Sequence, residues 1–143
     1  MIGVIITGHG RFAEGILSAV QLIAGQQEKL AAVNFPEGMT GEGLRKELRR
    51  AAEAFSGDEL IFCADIAGGT PFNQAVLLAG ELEERSGRRC LVFSGTNLPF
   101  VLQALFDREE ALSELEGRWL EGAVQVTAYH GLKKARKAHA GGI

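Results

Sequence analysis

Three short stretches hold the side chains able to do chemistry. His9 stands between Gly8 and Gly10, so neither chain neighbour adds bulk beside its imidazole. Asp65 opens the run Asp65-Ile66-Ala67-Gly68-Gly69-Thr70-Pro71-Phe72-Asn73, and a further glycine leads Gly95-Thr96-Asn97-Leu98-Pro99. Gly68 and Gly69 allow a tight turn and a close approach of backbone to ligand. Thr70 is expected to cap a helix, with Pro71 at its first position. Such a helix start offers unpaired N–H groups and the positive end of a dipole, and phosphate is the usual guest. A carboxylate that accepts from one imidazole nitrogen fixes the tautomer and leaves the other nitrogen nucleophilic. A histidine, a carboxylate and an anion-binding turn together suit a covalent phosphohistidine. In that chemistry the imidazole attacks phosphorus in line and Asp65 supports the charge developing on the ring. The N–H groups of Gly68, Gly69 and Thr70, with the Thr70 hydroxyl, would hold the phosphoryl oxygens. Each part alone has a plainer use. Many strand-to-helix turns carry Gly and Thr without a ligand, and a loop histidine also makes ordinary hydrogen bonds. The argument for chemistry is that all three stretches should meet.

They meet if the elements around them alternate. Ile2-Gly3-Val4-Ile5-Ile6-Thr7 reads as a strand covered on both faces, and residues 12–23 carry apolar side chains at helical spacing, stopped by Gly25. Leu30-Ala31-Ala32-Val33-Asn34-Phe35 reads as a second strand and residues 42–55 as a helix striped with Leu44, Leu48, Ala51, Ala52 and Phe55. Leu60-Ile61-Phe62-Cys63-Ala64 and Cys90-Leu91-Val92-Phe93-Ser94 are buried strands. Helices are expected from Pro71 through residue 82, over 100–106 and over 109–120, the last with Leu112, Leu115 and Trp119 on one face. A last, shorter strand is expected over residues 123–127. Strand and helix in alternation argue for a mostly parallel sheet flanked by helices. Ligands of such sheets bind beyond the carboxyl ends of the strands. That rule places the His9, Asp65 and Gly95 loops on one rim.

Bulk properties narrow the function classes. A chain of 143 residues is expected to form one domain over 1–143, with residues from about 128 onward a mobile tail. Apolar residues make up 46% and the net charge is −3, which gives no electrostatic case for nucleic acid. No apolar run approaches the about 20 residues needed to span a bilayer. Met1-Ile2-Gly3-Val4 enters a strand without a charged leader, and Cys63 and Cys90 lie in apolar runs without a CxxC. A cytoplasmic protein with free thiols and no metal or other cofactor is therefore expected. A P-loop lysine motif and a G-x-S-x-G elbow are absent, against a P-loop kinase and a serine hydrolase. The basic run Lys133-Lys134-Ala135-Arg136-Lys137 reads as a solvated face, His130 as a structural or exposed histidine and His139 as part of the tail.

The sequence resembles the IIA components of the mannose family of the bacterial phosphoenolpyruvate-dependent sugar phosphotransferase system. The matching stretches are Ile5-Ile6-Thr7-Gly8-His9-Gly10, Asn34-Phe35-Pro36-Glu37, Asp65 through Asn73, and Gly95-Thr96-Asn97-Leu98-Pro99. Within that mannose, fructose and sorbose group the wording is most similar to IIA proteins for N-acetylgalactosamine and related sugars. The resemblance implies an open α/β sheet with helices on both faces, a flavodoxin-like three-layer sandwich. It implies that His9 takes a phosphoryl group from HPr and passes it to a IIB component, on the ring nitrogen away from Asp65. Gly68, Gly69 and Thr70 match the phosphoryl-binding turn, and Asn97 the loop across the cleft. Membrane IIC and IID components would be indirect partners. A homodimer is implied too, in which residues 123–127 could supply an antiparallel strand to the partner subunit. Gly10, Phe72, Leu98 and Pro99, with Phe12 and Phe100, could border the histidine as a docking surface or lie in the core. Two other readings stay open: the phosphotransfer subunit of a dihydroxyacetone kinase, and an anion-binding module that forms no bond to His9.

Overall fold

A computed structural model describes residues 1–57 and 59–122. Four strands, β1 (Gly3–His9), β2 (Leu30–Phe35), β3 (Glu59–Ala64) and β4 (Arg89–Phe93), alternate with helices α1 (Phe12–Ala24), α2 (Gly41–Glu53), α3 (Thr70–Ser86) and α4 (Leu98–Asp107), followed by α5 (Leu112–Gly122). The strands form one sheet in the order β2-β1-β3-β4, and every pairing is parallel. Both faces are covered, which is why the strands read as continuous apolar runs. Ile2, Val4, Ile6, Ile61 and Cys63 face one core with Val101, Leu112, Leu115 and Trp119. Ile5, Leu60 and Phe62 face the other with Leu44, Leu48, Ala75 and Leu78. The result is the three-layer, flavodoxin-like sandwich expected, with α1, α4 and α5 on one side and α2 and α3 on the other.

The topology decides where a site can form. From β1 the chain passes to β2 on one side. It returns past β1 to β3 and continues to β4 on the other side. The strand order therefore diverges between β1 and β3. A crevice opens beyond their carboxyl ends, the place where ligands bind in open α/β sheets. His9 ends β1 and Asp65 follows β3.

Several boundaries differ from the sequence expectation for local reasons. β1 runs two residues past Thr7 because Gly8 pairs with Asn34 and His9 with Phe35. The cap of α3 is Gly69, in extended conformation, and Thr70 is the first helical residue with no capping role. α3 continues to Ser86 and ends at Gly87, whose φ of 67° is the left-handed stop that glycine supplies. α4 begins at Leu98 because the Asn97 side chain accepts from the Phe100 N–H at 2.9 Å. α5 begins at Leu112 rather than 109, where the Leu112 N–H meets the Glu59 carboxylate at 3.2 Å. The expected strand over 123–127, the expected tail, His130, His139 and the basic run lie outside the described residues.

Candidate functional site

The rim beyond β1 and β3 is built on one carboxylate. Asp65 Oδ2 accepts from the backbone N–H of His9 at 2.9 Å and lies 2.7 Å from His9 Nδ1. Asp65 Oδ1 accepts from the Ile66 N–H at 2.9 Å. Burial works to raise this carboxyl. The bonds from the His9 backbone, the His9 ring and the Ile66 backbone outweigh it and hold the group below the usual carboxylate value. An ionised carboxylate only accepts hydrogen bonds. Nδ1 must therefore carry the ring proton, and in neutral imidazole Nε2 is left with a bare lone pair. The side chain of His9 is 48% exposed and that of Asp65 12%, so the acceptor is sheltered while the ring faces solvent.

The start of α3 lies against that ring. A Cβ added to Gly69 would sit 2.8 Å from His9 Cε1 and 3.5 Å from Nε2. Only glycine lets the backbone come so close. Gly68, with φ of 79°, makes the preceding turn, and the Asn73 side chain donates to its carbonyl at 3.1 Å. The first N–H of α3 bonded back within the helix is that of Asn73, to Gly69 O at 2.9 Å. Ahead of it the helix start presents N–H groups and the positive end of its dipole beside the imidazole. Thr70 is half-buried on this first turn.

The third loop closes onto the backbone that carries this carboxylate, through the main-chain carbonyls of Asp65 and Ala64. Gly95 N donates to Asp65 O at 3.0 Å and Thr96 N to Ala64 O at 3.1 Å. Asn97 is thereby brought to the rim, its Oδ1 engaged at the start of α4. Gly10 and Pro99 are exposed there, and Phe72 and Leu98 are half-buried. Phe12 is partly buried against the core and Phe100 belongs to it, so Phe100 offers no docking surface. Ile66, which the sequence did not single out, is 56% exposed on the Asp65 loop. Its signal was an apolar residue following the carboxylate outside any strand.

The end of β2, matched to the family in sequence, was given no role there. Asn34 Oδ1 accepts from the Glu14 N–H at 3.1 Å, capping α1 from a neighbouring strand, since Arg11 gives that helix no side-chain cap. The Phe35 ring stands edge-on to His9, centroids 5.8 Å apart. Thiol chemistry is not at hand beside the site: burial pushes the Cys63 thiol up to about 12. Among the described residues no three His, Cys, Asp or Glu side chains are grouped to hold a metal, and no helix is long and apolar enough to cross a membrane.

Known proteins share this architecture. The family model described as PTS system fructose IIA component, EIIA-man, matches residues 3–116. The fructose-specific EIIA component of Bacillus subtilis strain 168 is 35% identical over 117 residues, covering 80% of this chain and 77% of that protein. The crystal structure of phosphotransferase system component EIIA from Streptococcus agalactiae superposes with a TM-score of 0.76 at 36% identity, over 87% of this chain and 97% of that one. The mannose/sorbose-specific IIA subunit from Enterococcus faecalis gives 0.73 at 26% identity, over 91% and 97%.

Proposed function

The chain belongs to the EIIA-man family of phosphotransferase-system IIA components, and from that premise we propose that it carries a phosphoryl group on His9, taken from HPr and passed to a IIB component. Components of this family serve phosphotransfer in sugar uptake. The observation that carries the proposal is the 2.7 Å contact between His9 Nδ1 and Asp65, which leaves Nε2 as the nucleophile. The Nε2 lone pair forms a bond to phosphorus. The donor's bond to phosphorus breaks, and its electron pair stays with the donor. The His9 ring then bears the phosphoryl group on Nε2 and a proton on Nδ1, a cation facing the Asp65 carboxylate. Transfer to IIB reverses these steps and returns the neutral ring.

The phosphoryl oxygens would be held by the N–H groups of Gly68, Gly69 and Thr70 and by the Thr70 hydroxyl. The close packing of Gly69 on the ring supports this assignment. Charge preorganised where charge develops needs no rearrangement during transfer. Gly10, Ile66, Phe72, Leu98 and Pro99 would border the docking partners, with Asn97 across the cleft. The protein would work in the cytoplasm as a homodimer, reaching membrane IIC and IID components only through IIB.

The test is intact-mass analysis after incubation with phosphoenolpyruvate, enzyme I and HPr, beside His9→Ala. The expected result is one acid-labile phosphoryl group, absent from His9→Ala and discharged on adding a IIB component. Label retained in His9→Ala would move the site elsewhere. A folded, unlabelled wild type would favour the dihydroxyacetone kinase subunit or the plain anion-binding module.

A further inference from the structure

We propose that Phe35, at the end of β2, is a positioning residue that holds the His9 imidazole in its transfer-ready orientation. The inference rests on the carrier function above. Asp65 fixes one ring nitrogen, and histidine χ2 is a broad torsion that one contact leaves soft. With Gly69 packed near Cε1 on one side, the half-exposed ring needs a further restraint from another side if Nε2 is to stay aimed at the start of α3.

The backbone supplies a reason for Phe35 to be that restraint. His9 and Phe35 are paired residues where β1 and β2 end. Beyond them Gly10 turns back with φ of 58°, and its N–H donates to Phe35 O at 2.8 Å. This makes an isolated antiparallel bridge between Gly10 and Phe35 at the end of an otherwise parallel ladder. The loop that carries His9 is thus tied to the residue whose ring meets the imidazole. The two ring planes stand at 75°, the edge-to-face geometry that aromatic pairs prefer. Phe35 itself is partly buried against the core on the α2 and α3 side of the sheet. A partly buried ring packed edge-on against a half-exposed one restricts the rotation of the latter. An edge-to-face pair corresponds to about a two- to tenfold effect on a rate or population.

The experiment compares wild type, Phe35→Leu and Phe35→Tyr, each shown to be folded by circular dichroism at the assay temperature. Two readouts are taken. One is the rate of phosphoryl acceptance at varied phospho-HPr, which separates kcat from KM. The other is the nitrogen-correlated NMR spectrum of the His9 ring, which reports tautomer and ring order without any donor. Phe35→Leu is expected to lower kcat about two- to tenfold at unchanged KM and to mix or broaden the ring signals, with both restored in Phe35→Tyr. Wild-type kcat and ring spectrum in Phe35→Leu would overturn the proposal. A raised KM with kcat kept would also overturn it, making Phe35 a docking residue. Failure of Phe35→Tyr to restore either readout would overturn it as well. A wild type that takes no phosphoryl group would sink the carrier function instead, while the ring spectrum would still judge the positioning role.

Discussion

Replacing Gly69 by alanine should damage transfer more than it damages the fold. The backbone there is extended, φ −77° and ψ 167°, so alanine meets no torsional strain. Its N–H remains available. The added methyl would lie 2.8 Å from His9 Cε1, 3.3 Å from Ile66 Cγ1 and 3.5 Å from His9 Nε2. Carbon atoms rest about 3.5–4.0 Å apart, so the ring must retreat by roughly 0.7–1.2 Å. The retreat strains the 2.7 Å contact with Asp65 and turns Nε2 from its line of attack. A misplacement near 1 Å costs about 100-fold in rate, equivalent to about 2.7 kcal/mol in the barrier. Losing glycine at a helix cap costs only about 0.5–1 kcal/mol of stability. The assay is quenched intact-mass measurement of phosphoryl acceptance from phospho-HPr, beside urea unfolding of both proteins. A folded Gly69→Ala with the wild-type rate would refute the reasoning. So would a rate loss no larger than the stability loss. The adjacent Gly68→Ala offers a contrast: φ is 79° and nothing lies within 4 Å of its added methyl, so the cost falls on the backbone, about 1–2 kcal/mol of stability.

Asp65→Asn should slow transfer about 10- to 100-fold, the worth of a hydrogen bond to a charged group, measured by the same mass assay. Because the folded protein holds this carboxyl below its ordinary value, its stabilisation is fully present above the unfolded value of about 3.9 and lost as pH falls through the lower folded value. The gap in unfolding free energy between wild type and Asp65→Asn should therefore be full near neutrality and close below about pH 4. Asn34→Ala should cost about 1 kcal/mol in urea unfolding, since it removes the cap on the Glu14 N–H. Trp119, the single tryptophan, donates to Asp107 Oδ2 at 2.9 Å and packs on Phe93 and Phe100. Trp119→Phe should cost about 1 kcal/mol and Trp119→Ala about 3–5 kcal/mol, read by circular dichroism during denaturation.

What the sequence revealed and what it hid follow from the range of the interactions concerned. β2 was legible to the residue because an apolar run ends at Pro36, and α1 because its periodicity starts at Phe12 and stops near Gly25. His9 and Asp65 were legible as a pair once the alternation put both at carboxyl ends of strands. The cap of α3 was not. Local propensity prefers threonine, whereas a Cβ at that position would strike the His9 ring, and only the folded site reveals the collision. Asn34 and Phe35 were matched to the family in the stretch Asn34-Phe35-Pro36-Glu37 but given no role, because their roles depend on β2 lying beside β1, a choice of topology. A trace was present: Asn34 is the one polar side chain in Leu30–Phe35. The start of α5 was misread because Glu59, some fifty residues earlier, accepts from its first N–H.

His9, the proposed nucleophile, is mounted at the end of an interior strand. β1 pairs with β2 over Val4–His9 and with β3 over Gly3–Thr7, and Val4 through Thr7 are fully buried. Backbone amides of such a strand exchange with solvent only through openings that approach global unfolding, unlike those of an edge strand or a surface loop. Even at its end, the His9 amide is shielded by Asp65. The histidine therefore keeps its place on the scaffold for as long as the molecule stays folded. Fraying elsewhere on the surface leaves it undisturbed, and successive encounters meet the same target.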